Sequence, residues 1–205
     1  METLFDRLYH ELQAGQPAVL LTVVASQGST PRGIGSHQAV FADGTTAGTV
    51  GGGYQEYLAI QAGKQCLAQQ QSAFRRLILH PNDEEDINAA CGGELTVFCQ
   101  YLDPAEPGLL DLLSAILQDL RQQTASWLAL DVSDERQWGM ALGTGRGCTR
   151  LRPDGLLAGC RCRLVPAERS RAWPATASAA GIVNPLAYPG RVFIFGRRGT
   201  FPRPW

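Results

Sequence analysis

The feature that most constrains this chain is the run Gly48-Thr49-Val50-Gly51-Gly52-Gly53-Tyr54-Gln55-Glu56. A short apolar stretch ends in three consecutive glycines, and a helix-compatible segment begins at once. Glycine turns a backbone through positive φ and brings it close to a ligand with no side chain between them. A helix opening directly after such a turn presents unpaired N–H groups and the positive end of its dipole. That setting suits phosphate or another anion. A tight strand-to-helix turn with no ligand fits the same residues, so the rest of the chain has to decide between the two.

Upstream, Leu4, Phe5, Leu8, Tyr9 and Leu12 recur at helical spacing, with Thr3 as N-cap and Gly15 as the stop. Residues 18–25 (AVLLTVVA) form a continuous apolar run rich in β-branched side chains, which predicts a strand buried on both faces. It empties into Ser26-Gln27-Gly28-Ser29-Thr30-Pro31-Arg32-Gly33-Ile34-Gly35, a loop of glycines and hydroxyls with a single arginine. This is a second candidate anion cradle, with Arg32 as its charged donor. Residues 39–41 and 45–50 read as a hairpin around Asp43-Gly44, whose second strand delivers the triple glycine. A helix is predicted from Tyr54 to the neighbourhood of Gln70, with Tyr57, Ile60 and Leu67 near one face and Glu56 in its first turn.

Residues 73–79 read as the next strand, and residues 81–86 as a solvated acidic loop. Then comes Ala90-Cys91-Gly92-Gly93-Glu94, followed by a strand over residues 95–98. A cysteine against two glycines at the mouth of a strand is easily exposed, and nearby backbone N–H groups favour its thiolate. An inert, buried thiol is the competing reading. The six cysteines are irregularly spaced, Cys160 and Cys162 make the only close pair, and with Cys91 as the exception most of them read as reduced, buried hydrophobes.

Residues 104–108 break the chain before a leucine-rich helical stripe at Leu109, Leu112, Leu113, Ile116, Leu117 and Leu120. Strands follow at 127–132 and 138–142, then a hairpin around Pro153-Asp154-Gly155, and 171–185 reads as a linker. Arg191-Val192-Phe193-Ile194-Phe195-Gly196 looks like the first strand of a dinucleotide-binding unit. The next residues contain Pro202 and Pro204 and no helix, so the unit reads as truncated, which argues against NAD(P) and predicts an exposed apolar strand edge. The expected organisation is a cofactor-binding region over 1–103, a middle region over 104–170, a linker over 171–190 and the truncated Rossmann start over 191–205. The fold class is α/β, built from mixed α+β layers.

A net charge of -1 recommends neither nucleic acid nor an anionic membrane as partner. No apolar run approaches the ~20 residues that cross a bilayer. The acidic, amphipathic N-terminus does not read as a signal peptide, and the expected location is cytoplasmic.

The first hundred residues resemble the XdhC/CoxI family, accessory proteins of molybdenum hydroxylases such as xanthine dehydrogenase. Three motifs carry the resemblance: Gly28-Ser29-Thr30-Pro31-Arg32; Gly48 to Gly53 with Glu56; and Cys91-Gly92-Gly93 with Leu95-Thr96-Val97. The resemblance implies a factor that binds molybdenum cofactor, helps it acquire its terminal sulfur and hands it to an apo-hydroxylase. A cysteine desulfurase as sulfur source and a homodimer are compatible with it. On this reading Gly28, Ser29, Thr30, Arg32, Gly51, Gly52, Gly53, Glu56, Gly92 and Gly93 contact the cofactor, and Cys91 offers a thiolate to molybdenum or relays sulfur. The chain departs from the family pattern at Tyr54, where some relatives carry a cysteine, and at Ser36-His37-Gln38, where many carry a basic residue. His37 reads as a surface histidine on a strand. The alternatives are an oxidoreductase subunit, a sulfurtransferase using Cys91 as persulfide carrier, and a fragment without activity.

Overall fold

The computed structural model describes residues 2–28, 30, 32–78, 93–123, 126–132, 136, 138–144, 148–151, 182–184 and 190–195. The chain divides into two compact units, residues 1–106 and residues 107–203.

The first unit is built from α1 (Glu2–Gln13), β1 (Ala18–Gln27), β2 (His37–Phe41), β3 (Thr46–Gly48), α2 (Gly53–Gln69), β4 (Ala73–Ile78) and β5 (Glu94–Leu102). Its strands form one sheet in the order β3-β2-β1-β5-β4, and every neighbouring pair is antiparallel. The central strand β1 is buried from Ala18 to Val24, as its unbroken apolar run predicts.

The burial of β1 on both faces follows from a helix on each. His37 and Phe41 share one face of β2 and meet α1: the Phe5 ring lies edge-on to His37 at 6.0 Å, and the Arg7 guanidinium sits 4.0 Å over the Phe41 ring. Val40 points the other way, and a Cβ added at Gly63 of α2 would lie 2.8 Å from its Cγ2. The α2 backbone therefore rides directly on the sheet. Its buried stripe is Gln55, Ala59, Ala62, Gly63 and Cys66, not the face holding Tyr57, which is 55% exposed. From Ala59 to Cys66 small size selects that stripe, because only small residues let the helix approach so closely. The other misplacement is at Thr3, which lies inside α1 because the helix already begins at Glu2.

The β2–β3 hairpin turns through Gly44 at φ 81°, whose N–H donates to the Phe41 carbonyl at 2.9 Å. Arg7 ties this turn to α1 by donating to Asp43 at 3.1 Å and to the Thr45 hydroxyl at 2.5 Å.

The second unit contains α3 (Leu109–Arg121), β6 (Ser126–Asp131), β7 (Gly139–Thr144), β8 (Cys148–Leu151), β9 (Ile182–Asn184) and β10 (Gly190–Phe195). Its sheet runs β8-β7-β6-β10-β9. The leucine stripe of α3 is buried as expected, through Leu109, Leu112, Leu113, Ile116 and Leu117. The strand read as an exposed Rossmann edge is paired on both sides: β10 runs parallel to β6 and antiparallel to β9. β9 itself falls inside the stretch read as linker, where Ile182 and Val183 supply the β-branched residues a short strand needs. The Pro153-Asp154-Gly155 hairpin and the acidic loop at 81–86 lie outside the described residues. Among the described residues, no helix is long and apolar enough to cross a membrane.

Candidate functional site

The antiparallel order of the first sheet brings the sequence motifs together. β1 ends at Gln27, which pairs with Glu94 at the start of β5, and Glu94 also pairs with Ile78 at the end of β4. β2 begins at His37, and its next residue, Gln38, pairs with Gly48 at the end of β3. The Gly28–Arg32 loop, the glycine run and the Gly93 approach to β5 therefore all leave the sheet at one end. α2 starts there too. β1 carries a bulge between Val23 and Ala25 just before that end, a device that often re-aims a strand beside a functional site.

The Gly28 loop is tied down at its base. Gly28 has φ 71° and Gly35 φ 85°, and the Gly35 N–H donates to the Val23 carbonyl at 2.8 Å, while the Val23 N–H donates to Ser36 at 3.0 Å. The Thr30 hydroxyl donates to the Arg32 carbonyl at 3.1 Å, and the Ser36 hydroxyl to the Gly33 carbonyl at 2.8 Å. Thr30 thus fixes the loop's shape, and Arg32 is exposed with no ion pair among the described residues. Ser29 lies outside them.

The glycine run is braced from below. The Thr49 hydroxyl donates to the Glu56 carboxylate, and the Gly51 N–H donates to the Thr49 oxygen at 3.2 Å. Glu56 stands in the first turn of α2, as read, and holds Thr49 from there. Gly52 is the N-cap at φ 110°, with no capping side chain, and Gly53 follows at φ 58°. A Cβ built on either glycine meets nothing within 4 Å. The first-turn N–H groups of a helix have no intrahelical acceptor. Together these leave an open stretch of side-chain-free backbone at the positive end of a helix of 17 residues.

Sequence reasoning missed two residues at this end. Gln55, in the first turn of α2, is 2% exposed, and Gln38 of β2 is fully buried. Among the described residues, neither amide has a hydrogen-bond partner on its oxygen or its nitrogen. The available signal was Gln38 standing among Ala39, Val40 and Phe41, a polar residue in a strand that is buried on both faces.

His37 corrects the surface reading. It is buried, its Nδ1 lies 2.9 Å from the Thr22 hydroxyl, and burial holds the imidazole down to about 4 from the usual 6.5. α1 covers the face of β2 that the alternation had left to solvent. Cys66 and Cys99 form no disulfide among the described residues and are buried, as read. The Cys66 hydrogen bond, and after it burial, push the Cys99 thiol well up, which makes it a poor nucleophile. Cys91 and Gly92 lie outside the described residues, and Gly93 is buried immediately before β5. Among the described residues no group of three or more His, Cys, Asp or Glu side chains gathers as a metal site.

The sequence profile of the XdhC and CoxI family matches residues 11–78, a span that holds β1 to β4, α2 and both glycine-rich loops. Over that segment the chain is similar to the XdhC and CoxI family. The uncharacterized protein YqeB of Escherichia coli (strain K12) is 28% identical over 117 residues, which is 57% of this chain and 21% of YqeB. The solved structure of a xanthine dehydrogenase from Bacillus halodurans superposes with a TM-score of 0.51 at 20% identity, over 66% of this chain and 41% of that one. That likeness concerns the fold. The chain spans less than half the length of either protein.

Proposed function

We propose that the loop end of the first sheet binds molybdenum cofactor, and that the chain serves as an accessory factor in its sulfuration and insertion into a xanthine dehydrogenase-type molybdenum hydroxylase. The observation that carries this is the convergence of the glycine-rich segments at one end of the sheet, beside an uncapped helix start. The cargo fits that place chemically. Molybdenum cofactor is a pterin dithiolene ending in a phosphate, and backbone N–H groups from Gly52 onward, with Arg32 on the loop that leaves the same end of the sheet, are suited to the phosphate. Glu56, in the first turn of α2, braces the glycine run by accepting from Thr49.

Cys91 supplies a soft thiolate to molybdenum or carries the sulfur atom, with a cysteine desulfurase as donor. The chain acts as a maturation chaperone in the cytoplasm, and two copies can associate while handing over cargo. Anaerobic titration of the full chain with molybdenum cofactor, followed by reconstitution of apo-hydroxylase, tests these roles. Saturable binding and delivery, both impaired in Cys91→Ala, are expected. Normal binding and delivery by Cys91→Ala would remove the cysteine from the mechanism, and absence of binding by the unmodified chain would remove the chaperone.

A further inference from the structure

Gln55 and Gln38 have no role in the account so far. Each carries an amide that can make four hydrogen bonds, and among the described residues each makes none with its side chain. Burying an unpartnered amide is costly, and an apolar side chain of the same shape would avoid the cost. Two such amides stand on one side of one sheet. Gln38 shares its face of β2 with Val40, which underlies Gly63 of α2. Gln55 lies on the sheet-facing stripe of α2, in the turn that opens at the uncapped Gly52. Gln38 is opposite Gly48, the residue from which the glycine run departs. Both residues therefore stand next to the glycine run, one beneath its departure from β3 and one at the helix start.

We propose that Gln55 and Gln38 determine ligand specificity, their amides reading the donor–acceptor edge of a flat, uncharged heterocycle whose anionic group sits at the start of α2. This rests on the cofactor-binding reading above and assigns the pterin ring, rather than the phosphate or the metal, to the two glutamines. A pterin edge alternates ring nitrogens, a carbonyl and an amino group, and a neutral amide matches either kind. A charged side chain in the same place would bear a larger desolvation cost. Both amides are closed to solvent, so contact requires the adjoining segment to shift. Gly51-Gly52-Gly53 is suited to that, having no side chains to repack and no cap at the helix start. Gln100, also buried and unpartnered, pairs with Leu20 on the opposite face and takes no part.

The test uses the full chain and the variants Gln55→Met and Gln38→Met, each isosteric and apolar. Thermal unfolding is compared with anaerobic titration of molybdenum cofactor and, separately, of inorganic phosphate. The expected variants are as stable as the parent or melt up to ~3 °C higher, because an orphaned amide has gone. They bind molybdenum cofactor about tenfold more weakly and inorganic phosphate unchanged. Cofactor binding equal to that of the parent would overturn the proposal and leave the cofactor reading standing. An equal loss for phosphate would overturn it as well, because the glycine run itself would have moved. Should Gln55→Met not fold, Gln38→Met alone decides by the same readouts. A parent chain that binds no cofactor would overturn the underlying reading and this inference with it.

Discussion

Replacing Gly63 by alanine tests the packing that positions the site. The added Cβ would lie 2.8 Å from Val40 Cγ2, 3.3 Å from Leu21 Cδ2 and 3.4 Å from Val40 Cβ. Val40 is β-branched and held in the sheet between partners on β1 and β3, so its χ1 has few alternatives. Either Val40 leaves its rotamer, at roughly 0.5–1.5 kcal/mol, or α2 lifts from the sheet, and overpacking of this kind costs about 1–3 kcal/mol. Against that stands the helix propensity of alanine over glycine, about 1 kcal/mol. The net is a destabilisation of about 1 kcal/mol, and at a urea m-value of about 2 kcal/mol/M the midpoint falls by roughly 0.5 M. Gly63→Ala combined with Val40→Ala should recover part of the loss, with a coupling of about 1 kcal/mol. A Gly63→Ala protein more stable than its parent would show that propensity outweighs the contact, and that α2 does not ride on β2 as described.

Gly48→Ala should be far worse, because at φ 78° its Cβ would meet Leu4 Cδ1 at 2.5 Å and the His37 carbonyl at 2.6 Å; a loss of roughly 3 kcal/mol or more, seen as a large drop in Tm, is expected. For His37, a folded pKa of about 4 against 6.5 means that the unfolded chain takes the proton first as pH falls, so stability declines between those values. From pH 7 to pH 5 this amounts to about 2 kcal/mol in the urea-derived stability, absent in His37→Leu; an NMR titration placing the imidazole near 6.5 would contradict it. Glu56→Ala removes the acceptor for Thr49, so the Gly51 amide should exchange faster with deuterium, and stability should fall by about 1 kcal/mol.

Much of the fold was legible because a few stretches have one physical solution. The run from Ala18 to Val24 could only be a strand covered on both sides, and Asp43-Gly44 marked its hairpin. The glycine run announced a turn into a helix, and the α3 stripe its buried face. What failed were readings that depend on distant partners. The α2 face was misjudged because closeness to Val40 favours small residues over Tyr57. His37 was placed in solvent because nothing local shows that α1 folds over it. β10 needed β6, more than fifty residues earlier, to become an interior strand. At the site, the sequence named the loops but not their convergence, which follows from the order β3-β2-β1-β5-β4. It also passed over Gln38 and Gln55, whose unpartnered state is a property of three-dimensional surroundings.

The most direct test of the central claim pairs two glycines that both have positive φ and open surroundings. Gly52 and Gly15 both have positive φ, at 110° and 77°, and a Cβ on either meets nothing within 4 Å. Gly52 lies at the loop end of the sheet, and Gly15 precedes β1 at the other end. Anaerobic titration of molybdenum cofactor against Gly52→Ala and Gly15→Ala should show affinity reduced about tenfold in the first and unchanged in the second. Equal affinities in both would place the cofactor elsewhere and contradict the account.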